Sequence, residues 1–312
     1  MKPSPLFLPG WLEFNRHKFG FQPLHVHFPR DSDKAPSVET VLYLNKKGKI
    51  QHPPLNPCLP IHFQSTPTER PSRLGRQWLE VAGLLARDMA ERGQIGSCIL
   101  SADATDVRPW QWVGYRAQAR YTYYLDFPFS QERVDRSNGT SVRKAIKQGY
   151  RCERVSDLQA VLQCVDGSEL RKQFSYHLTL NDLQTAQEIL GYEDSRTYVC
   201  YAPNGEPAAA LMVLHQPGAR AVPWVAGNAR EHLDADAPPL VWKTALDDLS
   251  DAGAAGIDFA GANIRGVASA KANWGGELVE THALELPSPR SIALYLREYA
   301  LFMRRKRVAS SG

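Results

Sequence analysis

A chain of 312 residues is long enough for two domains of roughly 150 residues each. Its 43% apolar and 22% charged residues are ordinary for a globular protein, and its 22 Gly and 22 Pro follow no fixed period, which excludes collagen, extended coiled coil and wholesale disorder. With 37 basic against 33 acidic residues and a net charge of +4, the chain permits a polyanionic partner without demanding one.

Pro5, Pro9 and Gly10 interrupt the apolar start Leu6-Phe7-Leu8 before it can serve as a secretory h-region. The apolar run Ala208 to Leu214 is of buried-strand length, far short of the roughly 20 residues that cross a bilayer. A cytoplasmic protein without a membrane span is expected. Cys58, Cys98, Cys152, Cys164 and Cys200 are odd in number, widely spaced and without a CxxC pair, so reduced and mostly buried thiols are expected rather than a disulfide framework or zinc knuckle. His25, His27, His52, Cys58 and His62 have no diagnostic ligand spacing, and no metal is expected.

In chain order, Val38 to Leu44 and Leu59 to Gln64 read as strands, Arg76 to Arg92 as a helix, and Ile95 to Ser101 and Ala117 to Phe127 as strands. Residues 128–154 are charged and turn-rich, with Asn138-Gly139-Thr140 reading as a turn, and look like a join between two halves. Helices are expected over Asp157 to Val165 and Leu180 to Leu190. Ser195 to Ala202, Pro207 to His215 and Ala219 to Ala226 then form an antiparallel meander around two turns, followed by a helix over Leu240 to Leu249. Ile257 to Ala260 is a short strand, Val267 to Trp274 a helix and Glu277 to Leu286 a strand, before an amphipathic helix over Ser291 to Met303 and the basic run Arg304 to Arg307. The later half reads β-β-β-α-β-α-β, and the first half carries a weaker copy of that order, which points to a structural duplication.

Three stretches carry a family resemblance: Trp112-Val113-Gly114-Tyr115 leading to Arg120-Tyr121-Thr122-Tyr123-Tyr124-Leu125-Asp126; Ser141 to Gly149 (SVRKAIKQG); and Ile257-Asp258-Phe259-Ala260-Gly261 through Lys271 to Leu278 (KANWGGEL). In this order and spacing they resemble the Fem family, the peptidoglycan-bridge aminoacyltransferases and their FemAB-like relatives, within the GNAT acyltransferase superfamily. Ala270 and Asn273 stand where that family usually carries aromatics. The resemblance implies an α/β fold with mixed sheets (α+β) built as tandem GNAT-like modules, here residues 1–150 and 151–290, with 291–312 as a C-terminal helix and basic tail. It also implies an amide-forming aminoacyltransferase that moves an aminoacyl group from aminoacyl-tRNA to an amine of a small molecule or peptide, with no tightly bound cofactor.

Such chemistry proceeds by positioning donor and acceptor and by stabilising the tetrahedral oxyanion, and the chain accordingly offers no GxSxG elbow and no Cys-His pair. Lys271 matches the lysine of the third family motif, near the donor. Asp258, at a strand end, is a candidate base or a brace for the following turn, and Asp103 and Asp106 are candidates for an acceptor-side carboxylate. Arg70, Arg73 and Arg76 precede or open a helix and suit phosphate, and Arg143, Lys144 and Lys147 share a helical face suited to tRNA backbone, as does Arg304 to Arg307. Trp112, Tyr121 and Tyr123 are candidates for the substrate cleft within an aromatic-rich strand.

Two alternatives stand beside this reading. One keeps the fold with an acyl-CoA or acyl-carrier-protein donor, although the glycine-rich phosphate loop of acyl-CoA enzymes is missing before Leu240. The other is a catalytically silent binding module.

Overall fold

The computed structural model describes residues 2–30, 34–172, 177–233 and 236–289, together with 292–293, 296–297 and 299–301. The first half runs α1 (Pro9–Phe19), β1 (Gln22–Phe28), β2 (Ser37–Leu44), β3 (Ile50–Gln51), β4 (Ile61–Gln64), α2 (Pro71–Arg92), β5 (Gln94–Ile95), β6 (Ser97–Leu100), α3 (Arg108–Trp112) and β7 (Arg116–Asp126). The later half runs α4 (Arg136–Lys147), β8 (Arg151–Arg154), α5 (Leu158–Lys172), α6 (Leu180–Asp194), β9 (Ser195–Tyr201), β10 (Pro207–Leu214), β11 (Arg220–Asn228), α7 (Ala237–Asp251), β12 (Gly256–Asp258), α8 (Arg265–Ala272) and β13 (Glu277–Glu285).

Local chemistry accounts for where several helices begin. Pro9 and Pro71 occupy the first helical position of α1 and α2, where the fixed φ suits the helix and no N–H is needed. The proline that interrupts the apolar N-terminus in sequence therefore starts a helix, and α2 begins before the expected Arg76. Asn138-Gly139-Thr140 is helical rather than a turn. The Asp135 carboxylate caps α4 by accepting from Ser137 N at 2.8 Å, which brings the sequence into the helix. Thr179 and Asp182 form a reciprocal capping box at the start of α6.

The described strands form a five-stranded sheet, ordered β1-β2-β3-β5 with β4 also on β2, and an eight-stranded sheet ordered β6-β13-β7-β12-β11-β10-β9-β8. The halves exchange strands in the larger sheet. From the first half, β7 lies between β12 and β13, and from the later half, β13 lies between β6 and β7.

Each half has an opening between parallel neighbours. β11 pairs with β12 only at Arg220–Gly256 and Ala221–Ile257, so the remainder of β11 diverges from it. Leu59 bridges Leu100 in parallel, with Leu59 N donating to Ile99 O at 2.6 Å and Ser101 N to Leu59 O at 3.0 Å, after which β4 turns away to pair with β2. Helices α7 and α2 follow the two diverging strands, as tandem GNAT-like modules require.

β10 is apolar throughout because both faces are covered. Ala210, Met212 and Leu214 pack with α5, and Ala209, Leu211 and Val213 with α7. α1 joins the core of the later half: Trp11 and Phe14 lie 5.3 and 5.5 Å from the Trp224 ring of β11. β11 approaches α5 so closely that a Cβ on Gly227 would lie 2.4 Å from the Cys164 carbonyl carbon. The expected helix over Ser291 to Met303 is helical at its described residues up to Leu301, whereas Arg304 to Arg307 lie outside the described residues.

Candidate active site

The first and third motif-bearing stretches converge, and the helix that carries the second starts beside them. β7 pairs with β12 and β13, and the start of α4 joins the end of α8 where Asp135 N donates to Asn273 O at 2.8 Å. At their meeting point, Asp258 ends β12 at the apex of the β11/β12 opening, and the following loop is zipped onto β7. Phe259 N donates to Tyr123 O at 3.0 Å, Ala262 N to Tyr121 O at 2.6 Å, and Tyr121 N to Asn263 Oδ1 at 3.0 Å.

Asp258 is 8% exposed. Its Oδ1 accepts from the Thr122 hydroxyl at 2.6 Å and from Ala260 N at 2.9 Å, while Gly261 N donates to Thr122 Oγ1 at 3.1 Å. Burial pushes the Asp258 carboxyl above its ordinary range, and the charge of Asp103 adds to this; the Thr122 and Ala260 hydrogen bonds and the Lys271 charge act the other way. Ala260, at φ 56°, occupies the left-handed region, a conformation that side-chain-bearing residues adopt only when surrounding bonds hold it.

Lys271 is one of those bonds. From α8 its ammonium donates to the carbonyl oxygens of Phe259, of Gly261 at 2.7 Å and of Ala260 at 3.3 Å. An ammonium has three N–H donors, so the family-matched lysine spends them on the loop behind Asp258.

Asp103, Cys58 and Tyr124 share the electrostatic surroundings of Asp258, and Arg220 and His62 lie on the Asp103 side of this group. Asp103, beyond the end of β6, is solvent-exposed and accepts from Ser101 Oγ at 3.3 Å. The protein around it nevertheless removes enough water to raise its carboxyl, with Ser101, Arg220 and His62 opposing that rise. Arg220, the first residue of β11, lies 4.5 Å from the Tyr124 ring centre and 2.6 Å from Asp126 Oδ1. Burial raises the Cys58 thiol and the Tyr124 hydroxyl, and the charges of Asp258 and Asp103 raise both further. Two carboxyls from different halves of the chain thus share one environment that favours taking up a proton.

The other sequence-predicted residues lie apart from this cluster or on its margins. Asp106 is engaged locally: Arg108 Nη2 donates to it at 2.7 Å, and the hydrogen bonds from Arg108 hold its carboxyl below the ordinary range. Arg70 is the N-cap of α2, with Arg73 and Arg76 in its opening turns, all exposed. Arg143 and Lys147 are exposed on α4, whose Ala145 is buried in the same core as α7. Their neighbour Lys144 reaches Asp236 at 2.9 Å. Trp112 is 65% exposed beneath the Arg108 guanidinium. Tyr121 is also exposed, and Tyr123 is half-buried opposite Leu278; this pair lies within β7, whereas Trp112 ends α3 ahead of that strand.

Thr122 and Arg220 escape the sequence reading, and Cys58 stands out there only as a buried thiol. Thr122 sits inside the first motif, but only the β7/β12 pairing, which sets Tyr124 opposite Asp258, brings it onto the same face and within hydrogen-bond reach of that carboxylate.

Neither protein-family sequence models nor curated protein sequences give a match to the chain. Solved structures do. FemX is similar over 89% of this chain and 91% of its own, with a TM-score of 0.60 at 12% identity. The C-terminal (DUF2156) domain assigned to a lysylphosphatidylglycerol synthetase of Agrobacterium fabrum is similar over 96% of this chain and 92% of its own, with a TM-score of 0.58 at 10% identity. L-PGS from Bacillus licheniformis is similar over 95% and 97% respectively, with a TM-score of 0.55 at 12% identity. At such identities the likeness establishes the fold alone: this chain has a FemAB-like, tandem GNAT-like α/β fold.

Proposed function

We propose that this protein is an amide-forming aminoacyltransferase that uses aminoacyl-tRNA as donor and an amine of a small molecule or peptide as acceptor, in the cytoplasm where charged tRNA is found. The observation that carries this donor is the start of α7, the helix that follows the diverging strand β11. Asp236 stands at its N-cap, and Pro238 and Pro239 fill the second and third helical positions. A compact pyrophosphate is bound at such a helix start by free N–H groups; here two of them are replaced by proline and a carboxylate stands beside the rest. Exposed cations stand instead on α2 (Arg70, Arg73, Arg76) and α4 (Arg143, Lys147), a distribution that suits a long polyanion.

In this reading, the acceptor arrives as an ammonium and must lose a proton before its nitrogen attacks the aminoacyl ester. Asp103, solvent-accessible with a raised carboxyl, takes that proton. The C–N bond forms as the ester C–O bond breaks, and the leaving 3′-oxygen of the tRNA is reprotonated. Asp258, Thr122 and Lys271 act behind it, holding the loop that closes the apex of the cleft.

The test is incubation with a panel of amines and either charged tRNA or acyl-CoA, each with and without ribonuclease. Product from charged tRNA that ribonuclease abolishes supports the proposal. Product from acyl-CoA that ribonuclease leaves unchanged replaces the donor, and turnover with neither supports a binding module.

A further inference from the structure

Cys152 and Cys200 are directly opposed on β8 and β9. An antiparallel ladder alternates between pairs that exchange backbone hydrogen bonds and pairs that do not, and the latter bring Cα atoms to about 4.5 Å with side chains close together. The register fixes which kind this is. Val155 N donates to Thr197 O at 3.0 Å, so Val155 and Thr197, opposed in the same frame, mark a hydrogen-bonding position. Counting back along the ladder, Arg154–Tyr198 and Cys152–Cys200 are the non-hydrogen-bonded pairs. Disulfides span Cα separations of roughly 4.4–6.8 Å, so this backbone pairing is one that a disulfide can bridge.

We infer that Cys152 and Cys200 form a redox-modifiable dithiol that a two-electron oxidant closes into a cross-strand disulfide. The side chains share one face of the sheet, packed into the core beneath α7, and Cys152 is the more exposed of the two. The hydrogen bond from the Cys200 thiol, with help from Thr244 of α7, lowers Cys152 despite its burial, which favours the thiolate that attacks the oxidant. The Cys200 thiol is raised in turn by that hydrogen bond and by burial. Cys58, Cys98 and Cys164 are all buried and raised by burial, and Cys164 packs against the opposite face of the sheet, so none of them competes for either partner.

With a diazene oxidant such as diamide, the Cys152 thiolate adds to the N=N bond, and Cys200 sulfur then displaces the nitrogen. The S–S bond forms, the two thiols lose two electrons and two protons in all, and the diazene leaves as its hydrazine.

The full-length protein, folded and reduced, is exposed to diamide, and free thiols are then alkylated with N-ethylmaleimide under denaturing conditions and mapped by mass spectrometry. We expect Cys152 and Cys200 to lose alkylation together, to appear in one linked peptide, and to return to alkylation after dithiothreitol. Cys58, Cys98 and Cys164 should remain alkylated throughout. In Cys200→Ser, no internal link should form and Cys152 should accept a single thiol adduct from glutathione disulfide. Full alkylation of both residues after oxidation, or a linked peptide joining any other pair, overturns the inference. Because the mapping is decided on the wild-type chain, a poorly folding variant does not affect the outcome.

Discussion

The Thr122 hydroxyl donates to Asp258 Oδ1 at 2.6 Å, joining a strand of the first half to a strand end of the later half. Asp258 is buried, so the carboxylate relies on this bond and on Ala260 N for its polar contacts. Thr122→Val removes the donor while keeping the shape, and also strips Gly261 N of its acceptor. We expect it to destabilise the protein by about 2 kcal/mol, read as a lower denaturant midpoint, with Thr122→Ser recovering most of the loss. Equal midpoints for the valine variant and the wild type would remove the pair from the list of what holds the apex.

The raised carboxyl of Asp258 sets the sign of a pH effect. A carboxylate whose folded pKa exceeds its unfolded value of about 4 binds protons more tightly when folded, so its contribution to stability falls as pH rises through that interval. This runs against the lowered carboxyls of Asp106, Asp182 and Glu193, whose contribution is present above their unfolded pKa and is lost in acid. Asp258→Asn cancels only the first effect. The stability difference between variant and wild type should therefore shift in favour of the variant with rising pH and level off above the raised pKa. A difference that is flat with pH would contradict the desolvation argument.

Lys271 saturates three carbonyls of the loop after β12. Lys271→Met, which keeps the stem and deletes the charge, is expected to cost about 2 kcal/mol in a denaturant titration and to expose residues 259–264 to limited proteolysis. Unchanged cleavage of that loop would free the lysine for a direct part in catalysis.

Gly227 allows β11 to lie against the backbone of α5. Gly227→Ala would place a methyl 2.4 Å from Val165 N, and backbone offers little room to move. We expect destabilisation of at least about 2 kcal/mol, from overpacking. Gly48 makes a suitable control, since nothing lies within 4 Å of a Cβ there. Gly48→Ala should be affected by its positive φ alone.

For the proposed donor, tRNA affinity should fall as salt rises, and Arg143→Ala with Lys147→Ala should reduce the slope of log K against log salt by about one to two. Filter binding at several salt concentrations measures this directly. An unaltered slope would move the polyanion off α4.

The order of the later half was legible because turns and alternation punctuate it: β9, β10, β11, α7, β12, α8 and β13 all fall close to where the pattern puts them. Strand neighbours were not legible. Nothing in the composition of residues 116–126 says that they sit between β12 and β13, since pairing over such separations depends on complementary edges rather than local preference. The site divides the same way. Asp258 and Asp103 stand out as carboxylates beside strand ends, whereas Thr122 and Arg220 acquire meaning only through register, and the partners of Lys271 are backbone atoms that no residue letter encodes. Asp106 reads as a free acid until its neighbour two positions on, Arg108, is seen to fold back on it.

The interleaving of β7 and β13 has a consequence for synthesis on the ribosome. Chains emerge N-terminus first, so β7 leaves the exit tunnel with both edges unpaired and stays so until the whole of residues 127–255 has been translated. An 11-residue strand of sequence RAQARYTYYLD is then a nascent-chain liability, open to adhesion with other chains. The arginines at 116 and 120 and the carboxylate at 126 serve as gatekeepers during that wait.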